Sequence, residues 1–158
     1  MSGIIGVGSK SGIIGSTEIP GGYEEGTWTP TYGGSSSNPT VGYSINAGHY
    51  TKIGRYVICS AQMNTSSVSS GSGNVLLQPL PFAVGSETRM AGGSTVNRTQ
   101  NWNSAANSPV GWYAQTTNTY AYALKYATDH DTSSNVAVSD LRTSSDSNQL
   151  IVTLVYQT

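Results

Sequence analysis

The chain is 158 residues long, enough for one domain and an arm. Its net charge is −1 and only 9% of its residues are charged, against roughly 25% in an average soluble protein, so it has no basic surface to hold a phosphate backbone and nucleic-acid binding is excluded. Ten tyrosines and three tryptophans set it apart from a disordered chain, and its solubility must rest on Ser, Thr, Asn and Gln.

The first element is a glycine-spaced leader. The string SGIIG stands at residues 2–6 and again at 11–15. It lacks the basic start and continuous apolar stretch of a secretory signal. It falls far short of the roughly 18 apolar residues of a membrane span, and its glycines oppose a helix. Residues 1–20 are therefore expected to form an extended docking arm, with residues 21–158 forming the folded domain. Ile4, Ile5, Ile13 and Ile14 are its predicted partner-binding residues, with the backbone adding a strand to an exposed sheet edge.

From residue 27 onward, runs rich in Thr, Val, Ile, Tyr and Trp alternate with Gly/Ser/Asn clusters, the pattern of an all-β sandwich or barrel. Strands are predicted at 27–32, 42–53, 56–64, 74–79, 89–97, 110–116, 120–127 and 149–157. Pro30 lacks an N–H, which makes 27–32 an edge or irregular strand, with Trp28 and Tyr32 as its hydrophobic anchors. Gly54 and Arg55 are expected to close a hairpin. The polar stretches 65–73 and 143–148 read as loops. In LIVTLVY (150–156) both alternating faces are largely apolar, so burial on both sides is expected, between sheets or between chains. In YAYALKYA (120–127) Ala121 and Ala123 share a small-residue face suited to close approach by a neighbouring sheet or subunit.

The string GGYEEGTWTPTYGG (21–34), followed by GHYTKIGRYVICSAQM (48–63) and PLPF (79–82), resembles a module of tailed-phage virion proteins of the tail-fibre or receptor-binding type. The resemblance covers about residues 21–82. It implies a β-sandwich of jelly-roll type assembled as a homotrimer, and a location in the virion after assembly in the bacterial host cytoplasm. Long fibres of this type carry extensive sequence before the module, whereas here it follows a short leader. A capsid decoration, a short fibre or tail knob, or an adaptor is expected rather than a shaft. The arm's predicted target is then another virion structural protein, of capsid or tail, or a neighbouring copy.

Chemistry-bearing residues are sparse. One cysteine, Cys59, forbids an internal disulfide, and its apolar surroundings predict a buried hydrophobe, with His49 and His130 the available imidazoles. Glu24 and Glu25 are adjacent and point to opposite faces of a strand, a poor arrangement for two carboxylates flanking one glycosidic bond. Asp129, His130 and Asp131 fall short of the four ligands of a structural metal site, and no nucleophile elbow or phosphate loop appears. The expectation is a protein that is not an enzyme, with no catalytic residue, metal, cofactor or membrane insertion. The rival expectation is recognition of a host-surface glycan or protein. In NWNSAANSPVGWY (101–113), Trp102 with Asn101 and Asn103 has the aromatic-plus-amide chemistry that holds sugars.

Overall fold

The computed structural model describes residues 22–86, 91–96, 102–103, 107–126 and 133–158. Ten strands lie among them: β1 (Tyr23–Trp28), β2 (Thr31–Gly34), β3 (Thr40–Ile53), β4 (Tyr56–Ser69), β5 (Val75–Gln78), β6 (Ala91–Val96), β7 (Gly111–Ala114), β8 (Ala121–Tyr126), β9 (Ser133–Asn135) and β10 (Ser147–Gln157). A single 3₁₀ turn, Val138–Asp140, is the described helical element. The fold is all-β, as expected from the sequence.

The strands form one antiparallel sheet in the order β1-β3-β4-β10-β6-β7-β8-β5-β2, with β9 added beside β8. β1 and β2 stand at opposite ends of this order, yet only Thr29 and Pro30 separate them. Three peptide steps reach at most about 11 Å, so the sheet must curl until its two ends come together. The result is a sandwich-like body. Its proline sits at the corner where the chain leaves one edge and starts the other, which is why the single strand predicted over 27–32 is two edge strands.

The core fills the space between the two halves of the curl. One half contributes Trp28, Val57, Cys59, Met63, Val152 and Leu154, and the other Tyr32, Leu77, Trp112, Ala121 and Ala123. Ala121 and Ala123 are fully buried, so the small-residue face of β8 meets the opposite half of the domain's own curled sheet. The PLPF segment closes one side: Tyr156 Oη–H donates to the Phe82 carbonyl at 3.1 Å, and Tyr50 packs edge-on against the Phe82 ring at 5.2 Å.

The β3–β4 hairpin turns at Gly54 and Arg55 with Ile53 opposite Tyr56. Gly54 has φ +59, the positive value that such a two-residue turn asks of glycine. β4 runs on to Ser69, five residues beyond the predicted end at Asn64. Its alternation breaks where Met63, Asn64 and Thr65 are all buried, and the register with β3 shifts between Gly42 and Ile45. A bulge bends a strand and interrupts its two-residue period, so the serine-rich continuation imitates a loop. In the same way β10 begins at Ser147, within the stretch 143–148 read as a loop, and its register with β4 shifts between Ser147 and Leu150.

Candidate interaction surface

The alternation that buries Val57, Cys59, Ala61 and Met63 of β4 turns Tyr56, Ile58, Ser60 and Gln62 outward. Neighbouring strands continue these positions in register. Tyr23, Ile53 and Tyr56 form one rung across β1, β3 and β4, and Thr51, Ile58 and Val155 form the next across β3, β4 and β10. A polar rung of His49, Ser60 and Thr153 follows, then one of Ala47, Gln62 and Ile151. Tyr23 is 60% exposed, Tyr56 55%, and Ile58 and Val155 46% each. An antiparallel sheet that faces water on one side ordinarily alternates apolar-in with polar-out; here the hairpin end of the face, Tyr23, Ile53, Tyr56, Ile58 and Val155, is apolar outward as well.

Charge is nearly absent from it. Among the described outward positions of β1, β3, β4 and β10, Glu25 is the one carboxylate, and it accepts a hydrogen bond from the Tyr23 hydroxyl. That bond holds the Tyr23 phenol above its ordinary pKa. Glu24 turns the other way and accepts from Tyr50 Oη at 2.7 Å, which raises the Tyr50 phenol in turn. The two glutamates thus lie on opposite faces, each occupied by a tyrosine.

The sequence-derived site residues are placed as follows. Ile4, Ile5, Ile13, Ile14 and Asn101 lie outside the described residues, as do Asp129, His130 and Asp131. Trp102 is described and is 1% exposed; its indole N–H donates to the Gln149 carbonyl at 3.3 Å, and its ring meets Tyr32 edge-on at 5.9 Å. Its faces belong to the core, so the expectation that Trp102 stacks on a sugar is corrected: it is an anchor of the fold. Asn103 is exposed, and its backbone N–H donates to the Asp140 carbonyl at 3.3 Å. Cys59 is buried, and desolvation pushes its thiol up to about 12. His49 lies opposite Ser60 and Tyr50 opposite Cys59, so the imidazole faces out while the thiol faces in. Among the described residues no three His, Cys, Asp or Glu gather where they could hold a metal ion.

A concavity of about 460 Å³ lies between the β4–β5 connection and the 3₁₀ turn. Ser69, Ser70, Ser72 and Ser139 line it beside Val138 and Leu141. The composition had marked 65–73 as loop, and nothing in the sequence joined it to residues 137–143.

The chain matches no known protein-family model, no curated protein and no solved structure. No helix among the described residues is long and apolar enough to cross a membrane.

Proposed function

We propose that this chain is a non-enzymatic structural component of a phage virion, either a capsid decoration or a short fibre or tail knob. In this reading it assembles as a homotrimer in the bacterial host cytoplasm and is anchored on the particle by its N-terminal arm. The observation that carries the reading is the outward face of β1, β3, β4 and β10, on which Tyr23, Ile53, Tyr56, Ile58, Ile151 and Val155 are exposed. Monomeric soluble proteins rarely expose contiguous apolar patches of more than a few hundred Å². The phage-module motif adds to this: Trp28 and Tyr32 anchor the corner between the sheet's two ends, and Glu24 and Glu25 bond to tyrosines, so the motif's residues serve the architecture.

The test is deletion of residues 2–15 followed by measurement of occupancy on assembled particles. Loss of incorporation with the β-domain still folded is expected. Full occupancy of the truncated protein would remove the docking arm from the account.

A second reading, recognition of a host-surface glycan or protein, draws on the serine-lined cleft beside Val138, whose hydroxyls offer both donors and acceptors. Reproducible binding of the purified protein on a glycan array, abolished by Ser139→Trp but retained by Ser139→Ala, would favour it.

A further inference from the structure

The exposed sheet face belongs to the proposed assembly role, and this inference rests on that reading, but the structure says more about what covers the face. We propose that its occupant is the same face of further copies of this chain, packed sheet against sheet. Three observations point to a copy of itself.

The first is size. The paired residues of the face, 23–28 of β1, 45–53 of β3, 56–64 of β4, 150–157 of β10 and 92–96 of β6, cover about 600 Å² at about 4.8 Å per strand and 3.3 Å per residue. Stable interfaces of standard size start at about 600 Å² from each partner. The face is large enough to hold copies together without recruiting a second surface.

The second is charge. Two copies of one face carry the same charges, so a face rich in one sign would repel its copy, and like charges placed together cost binding. This face avoids that penalty, because its described outward strand positions carry a single carboxylate, Glu25, already bonded to Tyr23. A foreign partner of opposite charge would find nothing here to complement.

The third is relief. Tyr56, Ile58 and Val155 project from the face, while Ala47 and Gly92 leave hollows in the same sheet. Gly92 stands opposite Val155, and a Cβ built on it would meet nothing within 4 Å. Knobs and hollows on one surface allow copies arranged about a symmetry axis to seat their projections in one another's depressions. The doubly apolar strand 150–156 fits the same arrangement: Leu150, Val152, Leu154 and Tyr156 are buried in the subunit's own core, and Ile151 and Val155 remain exposed for a neighbour.

The experiment is the molar mass of the full chain by light scattering across a concentration series, for the native protein and for Ile58→Glu with Ile151→Glu. Both positions face outward on different rungs, so the substituted chain is expected to keep its β-sheet circular dichroism. A native oligomer is expected, with assembly weakened about a hundredfold or more in the variant, since each buried isoleucine lost is worth about tenfold or more. A native protein that stays monomeric at high concentration overturns the inference and gives the face to a foreign partner or to the chain's own first 21 residues. An oligomer unchanged by the substitutions also overturns it, while leaving the virion role standing on another interface. Should the variant fail to fold, a nitroxide on Ser60→Cys in the otherwise native chain decides the matter. Dipolar coupling between labels on different copies supports the packing, and its absence in the oligomer refutes it. Failure of the arm deletion to affect particles, by contrast, bears on the virion reading alone.

Discussion

At the scale of single residues, one asparagine carries an unusual share of the fold. Asn148 is fully buried. Its amide N–H groups donate to Thr65 Oγ1 and the Arg142 carbonyl, both at 2.8 Å, and its Oδ1 accepts from the Arg142 N–H at 2.8 Å. Its own carbonyl accepts from Tyr32 Oη at 2.8 Å. It thereby ties the bulge of β10 to β4, to β2 and to the preceding loop. Its φ is +50, a region that asparagine tolerates better than most residues. Asn148→Gly keeps the backbone easy and loses the side-chain bonds, so a loss of about 2–3 kcal/mol is expected. Asn148→Ala adds roughly 1 kcal/mol of left-handed strain. Urea denaturation of the two variants measures the difference, and equal midpoints would show that the backbone carries no strain there. Alkali provides a second test at this scale. Burial raises the Cys59 thiol from 9.0 to about 12 and the Tyr32 phenol well above 10.0. Both pKa values are higher folded than unfolded. Their contribution is therefore whole below about pH 9 and is lost as pH climbs toward the folded values. Each group contributes a slope of about 1.4 kcal/mol per pH unit in that window. Urea midpoints should be level near pH 8 and fall steeply by about pH 11, and a level profile throughout would contradict the burial.

At the scale of elements, β1 pairs with β3 along its whole length, and one indole reaches across β3 to β4. Trp28 donates its N–H to the Ser60 carbonyl at 3.2 Å, passing over Gly48, where a Cβ would stand 2.2 Å from the indole nitrogen. Gly48→Ala is expected to displace the ring and cost about 1–3 kcal/mol, with a red shift in tryptophan emission; unchanged emission and stability would mean that the strand slides to make room. On the other half of the sheet, Lys125 of β8 pairs with Asp140 of the 3₁₀ turn at 2.6 Å, and the same carboxylate oxygen accepts the Ala137 N–H at 2.9 Å. Asp140→Ala should cost about 2 kcal/mol by stranding the Ala137 N–H and leaving Lys125 with Asn107 but without its counter-charge. The elements differ in how well the sequence announces them. β3, the start of β4, and β10 follow from alternation and from the glycine turn, because those signals are local. The far end of β4 and the start of β10 are hidden by bulges, which suspend alternation among serines and asparagines. β9 is three polar residues whose strand character comes only from pairing with β8. The candidate face was half visible: the double apolar character of 150–156 is local, but its alignment with Ile58, Ile53 and Tyr23 depends on register, which no single strand encodes. Trp102 misled for the same reason, since its polar neighbours in sequence are not its neighbours in the core.

At the scale of the whole molecule, one curled sheet produces two different outer surfaces. Behind β7 and β8, Tyr113, Tyr122 and Tyr120 pack on one another, with ring centroids 5.1 and 5.5 Å apart, so the aromatic side chains there largely cover themselves. The face across β1, β3, β4 and β10 has no such cover from the described residues, and it is where this account places the neighbouring copies. The most direct measurement is hydroxyl-radical footprinting of the full-length protein as its concentration is raised. Tyr23 and Tyr56 should lose reactivity as copies associate, while Tyr126, 57% exposed on the other half of the sheet, should keep its own. Tyr23 and Tyr56 oxidised equally at every concentration, in a protein shown to be oligomeric, would contradict the account at its centre.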